Sequence, residues 1–154
     1  MQRKLKTLAA ILLFLSFAVL AIGCGKSEPL VTRDADLIIH KSEVTKDARF
    51  YPVEIDGVKM EVIAVLASDN TVRTAFNTCQ VCFDSGRGYY VQEGDKLVCQ
   101  NCGNKFRMDD LEVVRGGCNP VPITSEHKTE TDTKITITKE TLSLAKELFT
   151  KWKK

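Results

Sequence analysis

Apolar and polar residues alternate along most of this chain, and the alternation breaks at turn residues. Leu37-Ile38-Ile39 is a short β-branched run. Phe50-Tyr51-Pro52-Val53-Glu54-Ile55 alternates up to Asp56-Gly57, a combination that predicts a strand ending in a hairpin turn. Met60, Val62, Ala64 and Leu66 recur at a period of two, Ser68-Asp69-Asn70 predicts a turn, and Val72 to Phe76 predicts the next strand. Tyr89-Tyr90-Val91 and Lys96-Leu97-Val98 predict short strands around Glu93-Gly94-Asp95, and Ile135-Thr136-Ile137 a late one. After that the period changes. Leu142, Ala145, Leu148, Phe149 and Trp152 fall on one face of a helix that Thr138 is placed to cap. The expected fold is mainly β (α+β): a small β domain closed by a C-terminal amphipathic helix. The stretch from Leu37 to Val44 resembles that from Ile135 to Leu142, and the two read as two edges of one fold.

The first residues have a different pattern. Arg3, Lys4 and Lys6 precede an apolar run with no charge until Lys26. The run is shorter than the roughly 20 residues a spanning helix requires, and its shape is that of a secretory signal. It ends in Leu20-Ala21-Ile22-Gly23-Cys24, which resembles a bacterial lipobox with Cys24 as the lipidated residue. The expected layout is a lipoprotein signal peptide over 1–23, a flexible tether over 24–36 and a cysteine-rich domain over 37–154. The expected location is the outer, extracytoplasmic face of the cell membrane, held by a lipid anchor.

Removal of the leader changes the charge. The chain has 22 Lys+Arg and 20 Asp+Glu, and residues 1–23 hold three of the bases and none of the acids, leaving a net charge of about −1. No basic stripe with interleaved aromatics remains, so nucleic-acid binding has no support. Lys151, Lys153 and Lys154 are expected at the solvated end of the last helix. No Ser/His/Asp set or phosphate loop stands out, and Asp109-Asp110 reads as a turn or cap.

The chemistry lies in the cysteines. The chain has six: Cys24, Cys79, Cys82, Cys99, Cys102 and Cys118. With Cys24 lipidated, five remain, and an odd number outside the cytoplasm argues against a scheme of disulfides alone. Cys79-x-x-Cys82 and Cys99-x-x-Cys102 are separated by sixteen residues. Each Cys-x-x-Cys turn aims two sulfurs at one centre, so two turns make a tetrathiolate metal site. Gly103 suits a turn that needs positive φ, and Phe83 makes the first knuckle the less typical one. Zinc, a single rubredoxin-like iron and a binuclear iron–sulfur cluster all accept four thiolates. His40 and His127 lie far from both pairs in sequence and read as surface residues.

The segments Thr74–Cys82, Gly88-Tyr89, Leu97–Gly103 and Gly116-Gly117-Cys118-Asn119-Pro120-Val121-Pro122-Ile123 resemble the FtrD-like family of membrane iron–sulfur proteins. The resemblance extends to Ala48–Tyr51 and to the tail from Ile135 to Phe149. It implies an iron–sulfur cluster or iron as cofactor and electron transfer linked to iron uptake. It also implies work beside an iron permease or another redox partner. Many family members carry the domain after several membrane spans, whereas this chain looks like the domain alone on a lipid anchor. A looser resemblance is to Rieske domains, with Cys82 and Cys102 where those carry histidine and Gly117-Cys118-Asn119-Pro120-Val121-Pro122 in the place of their Pro-rich loop; it implies a small Rieske- or rubredoxin-like metal-knuckle β domain.

Cys118 is the cysteine that a plain zinc ribbon leaves unexplained. Gly116-Gly117 allow close backbone approach, and Pro120 and Pro122 stiffen the segment after it, so Cys118 is a candidate fifth ligand or redox thiol. Tyr89, Tyr90 and Phe106 are expected to shield the site. Two functions are consistent with this set: a redox carrier holding iron at Cys79, Cys82, Cys99 and Cys102, or a zinc-stabilised binding module that partners a membrane permease.

Overall fold

The computed structural model describes residues 30–154. The expected leader, the lipidation site Cys24 and the first part of the tether lie outside them. The elements run β1 (Thr32–Arg33), β2 (Leu37–His40), β3 (Arg49–Ile55), β4 (Val58–Leu66), β5 (Val72–Cys79), β6 (Tyr90–Glu93), β7 (Lys96–Cys99) and β8 (Lys105–Arg107). β9 (Pro120–Pro122), β10 (Thr129–Glu130), β11 (Lys134–Ile137) and α1 (Lys139–Leu144) complete the order.

Three sheets result: β1-β3-β4-β5-β9, β10-β11-β2 and β6-β7-β8. The Asp56-Gly57 hairpin forms as expected, with Ile55 opposite Val58 and both turn residues at positive φ. Thr32-Arg33, expected in the tether, instead pairs in parallel with Val53-Glu54, so this part of the expected tether belongs to the sheet. The two similar segments are neighbours. β2 and β11 pair antiparallel, with Ile39 opposite Ile135. β9 is a strand that its two prolines conceal; it occupies the sheet edge, where a missing N–H is tolerated.

β4 and β5 divide the interior in two. The period of two sends Met60, Val62, Ala64, Val72 and Phe76 to one side, where Leu37, Ile39, Ile135, Ile137, Leu142 and Phe149 cover them. It sends Ile63, Val65, Ala75 and Cys79 to the other, against Tyr90, Leu97, Phe106, Met108 and Leu111. The sheet is thus buried on both faces.

The C-terminal helix is shorter than its periodicity predicts. Thr138 caps it, its Oγ1 accepting from the Thr141 N–H at 3.2 Å. After Leu144 the chain tightens into a 3-10 segment, Lys146–Phe149. Tertiary contacts set this change. Phe149 meets Phe76 edge-on at 6.0 Å, while the Trp152 indole N–H donates to the Asn77 carbonyl at 2.7 Å. The terminal lysines are therefore not in a last helical turn. Lys151 pairs with Asp84 at 2.7 Å, and Lys153 pairs with Glu61 and lies over the Trp152 ring.

Candidate metal centre

Each Cys-x-x-Cys begins where a strand ends. Cys79 is the last residue of β5, and its N–H donates to the Gly88 carbonyl at 2.7 Å. The chain then turns, and the Cys82 N–H donates to the Cys79 sulfur at 3.3 Å. Gly88 packs directly on this turn. A Cβ there would lie 2.4 Å from the Cys82 carbonyl carbon and oxygen. Only glycine fits, and this is the physical content of the Gly88 in the motif.

Cys99 ends β7 in the same way, with its N–H on the Asn104 carbonyl at 3.0 Å. Gly103 takes φ +73° and donates to the Cys99 carbonyl at 2.9 Å, as the sequence requires of it. The two strand ends are tied across the sheets. Buried Asn77 accepts from the Tyr90 N–H at 2.7 Å and donates to the Tyr90 carbonyl at 3.2 Å.

The third contribution is the loop carrying Cys118. Gly116 and Gly117 both take positive φ and turn Cys118 inward. Its carbonyl accepts from the Tyr90 hydroxyl and the Asn104 side chain, both at 2.8 Å. Gln80 holds the loop at three points: its N–H on the Asn119 carbonyl, its side-chain N–H on the Pro120 carbonyl, and its side-chain oxygen on the Gly116 N–H. Upstream, Glu112 sits at φ +65° and pairs with buried Lys128 at 2.5 Å. Asn104, Glu112 and Lys128 carry no motif signature, and Asn77 and Gln80 lie in a family-like segment that assigns them no role. Their roles depend on strands placed far apart in sequence.

All five thiols converge. The Sγ atoms of Cys79, Cys82, Cys99 and Cys118 all lie within 4.8 Å of one another. Cys118 Sγ is 3.1 Å from Cys82, 3.1 Å from Cys102 and 3.5 Å from Cys79. None is disulfide-bonded. Cys79, Cys82 and Cys99 are buried, Cys118 is half-buried and Cys102 is exposed. Tyr90 and Phe106 pack against the cysteines as expected, whereas Tyr89 stacks edge-on to Trp152 at 6.4 Å. His40 and His127 are both exposed, and no histidine joins the cluster among the described residues. Asp109 caps a turn by accepting from the Ser68 N–H at 2.8 Å.

The thiols are not equivalent. Burial works against ionisation of Cys79, but the Tyr90 hydroxyl, the Val81 and Cys82 N–H groups and the Cys118 thiol outweigh it and hold its thiol below the ordinary value. Contact with Cys118 and the Asn104 N–H bring Cys102 down to about 7. Burial pushes Cys99 up to about 12. Cys118 is raised by its contacts with Cys102 and Cys82. Such a set is held partly protonated until a cation replaces the protons.

The chain from residue 44 to 149 matches the family described as membrane iron-sulfur containing protein, FtrD-like. The chain belongs to the FtrD-like family. No curated protein and no solved structure matches it, so the Rieske likeness, drawn from the cysteine spacing and the proline loop around Cys118, is not confirmed. An all-sulfur donor set in a largely buried pocket fits thiolate-bound iron, which the family description implies. Cys79, Cys82, Cys99, Cys102 and Cys118 are the residues available to hold it. Among the described residues no helix is long and apolar enough to cross a membrane.

Proposed function

We propose that this FtrD-like protein is a lipid-anchored, extracytoplasmic iron protein that carries electrons in the service of iron uptake. The observation that carries this reading is the convergence of five unpaired thiols on one point in a chain of this family. Bound iron supplies a one-electron couple. The protein's own residues exclude water with Tyr90 and Phe106 and leave one edge, at Cys102, open to solvent. A buried centre with one exposed edge suits exchange of electrons with a partner. That partner is a redox protein or an iron permease in the same membrane. A lipid on Cys24 would hold β1, eight residues on, within about 30 Å of the bilayer.

The competing reading is a zinc-stabilised binding module. Anaerobic purification followed by metal analysis, visible spectroscopy and redox titration separates the two. Iron, visible absorption and reversible reduction are expected. Stoichiometric zinc without a chromophore overturns the electron-transfer reading.

A further inference from the structure

The thiol cluster holds one sulfur more than a tetrahedral site uses, and the two Cys-x-x-Cys pairs are not the most compact four. The four that lie mutually within 4.8 Å are Cys79, Cys82, Cys99 and Cys118. A single ion with metal–sulfur bonds of about 2.3 Å sets its four sulfurs about 3.8 Å apart. A cluster of two sulfide-bridged irons holds its thiolate pairs on opposite sides of the bridge, farther apart than this. Cys118 also has the surroundings of a built position. Its carbonyl is fixed from both knuckles' neighbourhoods, by Tyr90 and by Asn104. The strand after it pairs with the metal-bearing strand, Pro120 opposite Cys79. Cys102 is the exposed member of the group and touches Cys118 from the solvent side at 3.1 Å.

We propose that the site holds a single metal ion through Cys79, Cys82, Cys99 and Cys118, and that Cys102 is a free thiol at its solvent edge. This assignment rests on the thiol cluster being a metal centre but not on the metal being iron. Cys102 is then the group through which an incoming ion enters: it binds the ion at the surface, and ligand exchange with Cys118 passes it inward. The exchange breaks the metal–Cys102 bond as it forms the metal–Cys118 bond, the Cys118 thiol proton passes to the released Cys102 thiolate 3.1 Å away, and no electron moves.

Metal content of purified variants tests the assignment. Cys102→Ala is expected to keep close to one metal ion per chain, and Cys118→Ala to lose most of it. Cys102→Ala also slows uptake of cobalt(II), the probe ion, by the metal-free protein. The reverse pattern of retention overturns the proposal. A measurement without variants guards against misfolding. Iodoacetamide on the native, metal-loaded protein is expected to label Cys102 alone, with the metal retained. Protection of Cys102, or metal loss on labelling, overturns it. The outcomes also separate this inference from the proposed function. One zinc per chain held by these four sulfurs sinks the electron-transfer reading and leaves the inference standing. Two irons per chain with acid-labile sulfide does the opposite.

Discussion

At the scale of single residues, Gly88 and Cys99 set the terms of the site. The Gly88 backbone lies on the Cys82 carbonyl, so Gly88→Ala must push the first knuckle aside. The expected cost is about 3 kcal/mol, as for overpacking, together with weakened metal binding. A thermal melt with metal analysis checks both, and an unchanged melt would show that the knuckle yields freely. Cys99→Ala removes a buried thiol that belongs both to the paired-knuckle set and to the set with Cys118. It should empty the site and lower the melting temperature sharply, because in a small metal-bound domain binding energy is folding energy. Protons obey the same logic. Cys99 holds its proton up to about pH 12 in the metal-free protein, and Cys118 is raised as well. Loading a divalent ion near pH 7.5 must therefore release protons, and affinity must fall as pH is lowered. An indicator dye during cobalt(II) titration in weak buffer reads the release directly. The cysteines and Gly103 were legible in the sequence because their chemistry imposes a spacing. Asn77, Gln80 and Asn104 were not, because an amide is informative only once its partners are known.

At the scale of elements, the Cys118 loop is the piece whose position must be explained. Glu112 accepts from the Thr74 N–H at 2.5 Å and pairs with Lys128, whose side chain is 3% exposed. Arg73 reaches the same turn through the Asp109 and Leu111 carbonyls. Glu112→Gln leaves the Lys128 ammonium buried without its counter-charge. The expected destabilisation is about 3 kcal/mol by chemical denaturation, and adding Lys128→Met should recover most of it. Equal loss in the single and double variants would deny the pair this role. The Ser68–Asn70 turn makes a separate prediction. Hydrogen bonds from Thr71 and Arg73 hold Asp69 at about 2, below its ordinary 3.8. A lowered folded-state value stabilises above the unfolded one, so this contribution is complete above about pH 4 and is lost as pH falls through about 2. Asp69→Asn should flatten the stability–pH curve in that acid window, lowering stability by a constant amount above about pH 4 and leaving it nearly unchanged below about pH 2. The turn itself was legible from Ser68-Asp69-Asn70. β9 was not, because Pro-Val-Pro argues against a strand everywhere except at an edge, and edges are assigned only by the whole sheet.

At the scale of the whole molecule, two cores share one central sheet. One is a conventional apolar interior under α1, and the other is an interior in which sulfur takes the place of part of the hydrocarbon. The period-two pattern of β4 announced a strand but not its burial on both faces. That second burial comes from the sheet that carries Cys99 and from the thiol cluster beside it, whose packing no local pattern encodes. The C-terminal periodicity announced a helix but not its early end, which the contacts of Phe149 and Trp152 impose. Trp152 is the single tryptophan of the chain, and its indole N–H donates to the carbonyl of Asn77, two residues before Cys79. The molecule therefore carries its own optical reporter, wired to the first knuckle by one hydrogen bond. Filling the thiol cage should change the intensity or wavelength of the intrinsic emission, and stripping it with a chelator should reverse the change. The occupancy of the centre can then be tracked in real time with no label attached.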